Sequence, residues 1–288
     1  MKYNADINQP IKGQQERKIV MKKIFALILA ALMITSCFAA CAPAEETEEP
    51  AKTIVVGYTI YEPMNYKDES GKLIGFDTEL AEAVFTELGY KPLFQEIDWK
   101  AKYTDLNAGT IDCVWNGFTC NSADDDGIQR SEKVDFSYKY MENQQVIVVK
   151  SDSTIAVAAD LAGKIGAAEG GSAGESYGKG FEGATIKAFD VQTKCIFEVN
   201  AGTVDFAIVD AQLAKSYVGK GDYANLKVVD GLSSDVEFYA IGFKKGSSLT
   251  AEVNTALEAL AANGTIANLA EKYGVSNTAI TDFSSQKN

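Results

Sequence analysis

An arginine and an aspartate set the chemistry open to this chain. Asp210 closes the apolar run Phe206-Ala207-Ile208-Val209, and Arg130 stands just before Ser131 to Ser137. A guanidinium fork holds a carboxylate through two parallel bonds, and a carboxylate answers an ammonium group. Together they suit the two ends of a small zwitterion. Another apolar run, Cys113-Val114-Trp115, delivers Asn116, Gly117 and Thr119, which offer an amide, a bare backbone and a hydroxyl. In open α/β sheets ligands bind outside the carboxyl ends of the strands, so both runs are candidate walls of a site. Each residue also has a plainer role. A lone Arg is commonly a solvated surface charge, and Asp210 suits the N-cap of a helix from Ala211 to Val218.

The elements that would position these residues contain a repeat. Asn107-Ala108-Gly109-Thr110-Ile111-Asp112 returns as Asn200-Ala201-Gly202-Thr203-Val204-Asp205. Each copy ends a helix-like stretch with Gly and enters an apolar run suited to a buried parallel strand. Two lobes of similar build are therefore expected, each aiming a strand end at something.

Alternation of strand and helix runs through the rest. Strands are read at Thr53 to Val56, Pro92 to Glu96, Gln145 to Val149, Ile165 to Ala168, Thr185 to Phe189 and Val236 to Phe243. Asp77 is read as the cap of a helix through Leu88 that buries Leu80, Ala81, Val84 and Leu88; Asp98 caps another from Trp99 to Ala108. Gly170-Gly171-Ser172-Ala173-Gly174 opens toward a helix start, where free N–H groups favour an anion, and it lacks the Lys of a nucleotide loop. The tail, Ser248 to Tyr273, reads as two helices broken near Asn263-Gly264, with only the first lobe left to cover. The chain then crosses between lobes twice, near Val148 to Lys150 and near Glu237 to Ala240, and two crossings make a hinge around a cleft.

The amino terminus reads as an address. Met21-Lys22-Lys23 precedes an apolar run from Ile24 to Met33, with small residues through Ala40. Charged start, apolar middle and small residues at the end make a secretion signal over 21–40. Residues 41–51 are an acidic, Pro-flanked tether, and 1–20 are polar and read as an extension outside the natural start. A single membrane-spanning helix is the rival reading of the apolar run.

Composition narrows the function. The 288 residues carry 27 Lys and Arg against 40 Asp and Glu, a formal net charge of −13, which repels nucleic acid and anionic lipid. There is no His, which removes the commonest general base, the Ser-His triads and most zinc sites. No metal or cofactor is expected. Cys113, Cys120 and Cys195 lie in separate contexts, and a Cys113–Cys120 disulfide is not expected.

Several phrases, in order, carry a resemblance. Gly75-Phe76-Asp77-Thr78-Glu79-Leu80-Ala81, Gly109-Thr110-Ile111-Asp112, Val134-Asp135-Phe136-Ser137, Asp160-Leu161-Ala162-Gly163-Lys164 and Asn263-Gly264-Thr265-Ile266 resemble those of the amino-acid-binding extracellular solute-binding proteins of ABC importers. The small residues ending in a Cys resemble the bacterial lipoprotein box, with Cys41 as the acylated residue and Cys37 as the alternative. The resemblance implies an α/β, two-lobed periplasmic-binding-protein fold, each lobe a mostly parallel sheet flanked by helices, joined by a two-strand hinge. Residues 52–148 and 239–288 would form lobe 1 and residues 149–238 lobe 2. It further implies a monomer, anchored outside the cell membrane, that closes on a free amino acid and delivers it to a permease.

Residue by residue, Tyr61 matches the aromatic over the ligand side chain, and Gly117 and Thr119 match first-lobe contacts. Arg130 matches the α-carboxylate clamp, Gly170 and Ser172 the second-lobe carboxylate loop, and Asp210 the acid that takes the α-ammonium. Asn116 stands where a Ser is common. Tyr58 stands where an acidic residue can contact basic ligands, which disfavours a strongly basic ligand. Asn121 to Gln129 is longer than the family's link, and its Asp124-Asp125-Asp126-Gly127 is read as solvated because it lacks the alternate spacing of a calcium loop. Replacing Arg130 with Ala is expected to abolish binding with little loss of fold. Cyclohexadienyl dehydratases, similar in fold, define the enzyme alternative, with Glu62, Glu169 or Asp210 as acids.

Overall fold

A computed structural model describes residues 52–287. The expected extension, signal and tether, with Cys37 and Cys41, lie outside the described residues.

The first lobe opens with β1 (Lys52–Tyr58), a ribbon of β2 (Tyr66–Lys67) and β3 (Leu73–Ile74), helix α1 (Phe76–Glu87) and β4 (Tyr90–Glu96). Helix α2 (Lys102–Ala108), β5 (Cys113–Val114), the single turn α3 (Arg130–Lys133) and β6 (Val134–Phe136) follow. The chain leaves through β7 (Met141–Asn143). The second lobe holds β8 (Gln145–Lys150), β9 (Ile165–Glu169), α4 (Ala173–Lys179), β10 (Thr185–Phe189), α5 (Gln192–Ala201), β11 (Phe206–Asp210), α6 (Ala211–Tyr217) and β12 (Leu226–Ser233). The return runs through β13 (Glu237–Tyr239) to β14 (Gly242–Lys244), α7 (Leu249–Ala262) and α8 (Thr265–Lys272).

The two large sheets have one plan. Their orders are β4-β1-β5-β14-β6 and β10-β9-β11-β8-β12. In each, the first three strands of that order are parallel and the fourth runs against both neighbours, so four of five strands share a direction. The reversed strands, β14 and β8, are the ones that enter each lobe from a crossing.

The repeated phrase performs the same task twice. Gly109 and Gly202 end α2 and α5 at φ 73° and 77°, a left-handed cap that an L side chain resists. Three residues on, Asp112 accepts the Val55 N–H at 2.7 Å and Asp205 accepts the Ile165 N–H at 2.8 Å. Each carboxylate ties the middle strand to its parallel neighbour, β1 or β9, and so sets where Asn116 and Asp210 emerge.

The tail helices α7 and α8 pack on α1 of the first lobe. Val253, Ala256, Leu257 and Leu260 face Leu80, Ala81, Val84 and Phe85 in one buried cluster. Each such Leu or Val contributes roughly 1.5–3 kcal/mol by leaving water. Asp77 does not cap α1: Gly75 holds that position, and the Asp77 carboxylate instead accepts from the Gly117 N–H at 2.7 Å and the Tyr140 hydroxyl at 2.8 Å. Cys113, Cys120 and Cys195 are unpaired.

One crossing differs from its expected place. Gln145–Lys150 lies inside the second sheet, antiparallel to both β11 and β12. Its branched side chains at Ile147, Val148 and Val149 are fully buried, which suits a sheet interior and not an open span. The crossing falls earlier, at β7, which pairs antiparallel with β13: Met141 with Tyr239, Glu142 with Phe238 and Asn143 with Glu237. The return crossing is β13, Glu237–Tyr239.

Candidate functional site

The carboxyl ends of β5 and β11 face each other across the hinge pair. A small cavity of about 10 Å³ lies between them, lined by Asn116, Gly117, Thr119 and Arg130 of the first lobe and by Ser172 and Asp210 of the second. That is room for about one water. The described arrangement is therefore closed, and a larger guest enters only if the lobes part.

Arg130 is 1% exposed. Its Nε donates to Asp124 Oδ1 at 2.8 Å, Nη1 to the Thr119 carbonyl at 3.2 Å and Nη2 to the Gly171 carbonyl at 3.3 Å. A guanidinium has five N–H donors. Two remain, one on each terminal nitrogen, unspent and able to donate to a carboxylate. The plainer reading of Arg130 as a surface charge is set aside by its burial.

Asp210 sits at the N-cap position of α6 without capping it. Its carboxylate is held by three amides instead: Asn143 Nδ2 at 2.6 Å, Gln145 Nε2 at 2.5 Å and Gln192 Nε2 at 2.5 Å. Burial raises its pKa, and those amide bonds pull it back toward charge. It carries its charge most easily beside a cation. Glu237, 8% exposed, accepts from Thr119, Asn143 and Gln145, and burial with the Asp210 charge pushes it up to about 7.

The remaining expected residues divide. Thr119 is buried with its hydroxyl on Glu237, and Ser172 caps α4 by accepting the Glu175 N–H at 3.0 Å. Gly117 is brought to the cavity, but its N–H is taken by Asp77; at φ 57° an added Cβ there would come within 2.6 Å of the Tyr61 ring. Asn116 is a clip, bonded to Thr59 and Asn65 through both ends of its amide. Tyr61 does not line the cavity: its ring lies beside Gly117, its hydroxyl meets the Tyr239 hydroxyl at 2.6 Å, and their rings cross edge to face. Gly170 is not brought in, because its N–H completes the sheet to Phe189 and its flank faces Lys100. Tyr58 turns its ring against Phe94 of β4 and does not line the cavity, so the reason it gave against a basic ligand falls away.

Trp99, Gln145, Glu169 and Gln192 also line the cavity. Three of them escaped the sequence reading; Glu169 entered it only as an acid of the enzyme alternative. Trp99 looked like the first residue of a helix, Gln145 the head of an apolar strand and Gln192 one more helical polar residue. A polar residue leading an otherwise apolar strand was the signal available for Gln145.

The acidic loop is engaged, not solvated. Asp124 pairs with Arg130 and Lys133, each at 2.8 Å. Burial works against its charge, yet Arg130, Lys133 and Tyr103 hold its pKa down at about 2. Asp125 reaches the other lobe, where it pairs with Lys179 and accepts from the Ser176 hydroxyl at 3.0 Å. Both members of the Asp125–Lys179 pair are about half exposed, at 40% and 48%, so it is worth only about 0.2–1 kcal/mol. Lys179→Met is expected to weaken ligand affinity by less than about fivefold, and titration calorimetry in 1 M NaCl should erase even that difference, since screening there acts within about 3 Å.

Two similar lobes on a two-strand hinge, with opposed charges from different lobes at one cavity, define a cleft-closing binding fold. The profile of the bacterial extracellular solute-binding proteins, family 3, matches residues 54–276. The chain belongs to that family. It is similar to the arginine-binding extracellular protein ArtP of Bacillus subtilis strain 168, at 31% identity over 88% of this chain and 98% of that one. Among solved structures it is similar to an ancestral arginine-binding protein bound to arginine, at 35% identity and a TM-score of 0.70 over 77% of this chain and 97% of that one. An ancestral amino-acid-binding protein described as a precursor of cyclohexadienyl dehydratase has 31% identity and a TM-score of 0.67 over 77% and 95%.

Proposed function

We propose that this protein is the receptor of an amino-acid importer, and that it holds one free amino acid between Arg130 and Asp210. The observation that carries the reading is the position of those two groups. A guanidinium with two unspent donors and a carboxylate set among amides come from different lobes and line the same cavity. The α-carboxylate lies on Arg130 and the Ser172 hydroxyl; the α-ammonium lies on Asp210. Ligand bridges both lobes only when they close around it, with the cavity wider than the one described, and so it shifts the population toward that ligand-closed state. Arg130 and Lys102 already donate to the Gly171 carbonyl across the cleft, so closure needs few new contacts of its own.

The same reading takes the protein to be a monomer, anchored through a lipid on Cys41 (or Cys37) outside the cell membrane and handing its ligand to an ABC permease. A thermal-shift screen of the purified protein against the common amino acids tests the binding. The expected outcome is a raised Tm with one or a few of them, since ligand at 100 times Kd stabilises by about 2.7 kcal/mol.

A second reading rests on Glu237 and Glu169, buried carboxyls raised to about 7 and about 8, in the range that acid–base chemistry uses. Turnover of prephenate or arogenate by the purified protein would replace the receptor with an enzyme.

A further inference from the structure

The cavity contains one acid that the zwitterion's two ends leave unused. Glu169 ends β9 and is 4% exposed. Its Oε1 has no hydrogen-bond partner among the described residues. Glu237, almost as buried, has three donors on one oxygen. A buried carboxyl oxygen without a donor is costly, roughly 1–3 kcal/mol or more. Neither of the two cations nearby donates to it. Lys102 donates to the Trp99 and Gly171 carbonyls, and Arg130 to Asp124, Thr119 and Gly171. Trp99 forms the adjoining wall, and its indole N–H is also buried without a partner.

We infer that Glu169 reads the ligand's side chain: the pocket takes an amino acid whose side chain ends in N–H donors, a cation or an amide. This rests on the amino-acid reading above. An aliphatic side chain would leave Glu169 Oε1 dry and unpaired. An acidic one would meet Glu169, Asp210 and Glu237 together. A site with a buried polar group rejects the analogue that cannot satisfy it far more strongly than it rejects a misfit of size.

Burial and the Asp210 charge push the Glu169 pKa to about 8, with Asp98 adding to the rise and Lys102 and Arg130 opposing it; Cys195 is the further titratable neighbour. A cationic side chain favours ionised Glu169, so its binding expels a proton below that pH. Affinity for such a ligand then rises with pH up to about 8. An amide ligand lacks most of this dependence, because a protonated carboxyl still offers an acceptor.

Titration calorimetry with L-arginine, L-lysine, L-glutamine, L-leucine and L-glutamate tests the inference on the wild type, Glu169→Leu and Glu169→Gln. In the wild type the tightest ligand should be arginine, lysine or glutamine, at least tenfold ahead of leucine and glutamate. Glu169→Leu should weaken that ligand tenfold or more without lowering the unliganded Tm. Glu169→Gln should retain glutamine, weaken arginine and lysine, and flatten their rise in affinity between pH 6 and 8. Tightest binding of leucine or glutamate, or a Kd for the preferred ligand that moves less than twofold in Glu169→Leu, overturns the inference and leaves the receptor standing. No binding of any common amino acid overturns the receptor itself, and this inference with it.

Discussion

Arg130→Lys keeps the charge and is expected to weaken ligand binding by about 10²- to 10⁴-fold. The reason is geometric. The guanidinium gives Nε to Asp124 and one N–H of each terminal nitrogen to the Thr119 and Gly171 carbonyls, which fixes its plane and leaves one further donor on each terminal nitrogen. Each charge-assisted bond to a carboxylate is worth about 1.5–3 kcal/mol, and a single ammonium cannot keep Asp124 and offer a fork at once. Arg130→Ala should abolish binding too, but the fold suffers more than the sequence suggested. Arg130 is buried, and its loss leaves Asp124, 12% exposed, with Lys133 as its remaining ion-pair partner. Breaking a buried pair costs roughly 3–5 kcal/mol. Because Lys133 remains, the lower end of that range is expected, a fall of about 6–12 °C in the Tm of the unliganded protein. Calorimetry separates the two effects: Arg130→Lys should lose affinity with a smaller fall in Tm. Unchanged affinity in Arg130→Lys would remove the carboxylate clamp from this account.

Much of this was legible in the sequence, for reasons that differ from residue to residue. The repeated Asn-Ala-Gly-Thr phrase announced two lobes because the cap and the strand staple are local devices. Gly109 and Gly202 turn the chain, and Asp112 and Asp205 catch the neighbouring strand. Strand ends followed from those lobes, and with them Thr119 and Asp210. The hinge was misplaced on one side because residues 146–149 are an unbroken apolar run, and periodicity cannot say to which sheet such a strand belongs. Gln145 and Gln192 were invisible for a related reason. Their importance comes from meeting Asp210 across 65 and 18 residues of chain, a fact of tertiary structure. The acidic loop misled because three adjacent Asp residues in a link suggest solvent, whereas all three find cations brought by α3 and α4. Tyr58 misled through alignment with a role; it pairs with Glu96 in the β1–β4 register, and its ring goes to Phe94, the diagonal neighbour two residues back on β4.

Asp210→Asn, nearly identical in shape, is expected to weaken binding by about 30- to 5,000-fold, the equivalent of the roughly 2–5 kcal/mol lost when one partner of a buried, hydrogen-bonded charge pair is removed. The ligand's ammonium loses its counter-charge. The three amides lose something as well. Asn143 and Gln145 donate to Oδ1 and Gln192 donates to Oδ2, so an Asn must turn its own NH₂ toward at least one donor. Gln192 cannot flip to meet it without giving up the Asp210 N–H, which its carbonyl accepts at 2.8 Å. An unsatisfied or opposed buried donor costs about 1–3 kcal/mol, so the unliganded Tm should fall as well. The pH dependence separates charge from shape. Burial raises the Asp210 pKa, so its proton and the ligand's ammonium compete for the same carboxylate, and wild-type affinity declines as pH falls through that raised value. Asp210→Asn has no such proton to take up. Its residual affinity should lose that part of the acid decline, measured by calorimetry from pH 7 downward with the wild type's preferred amino acid. An equally steep decline in both proteins would mean that the ammonium rests on some other acid.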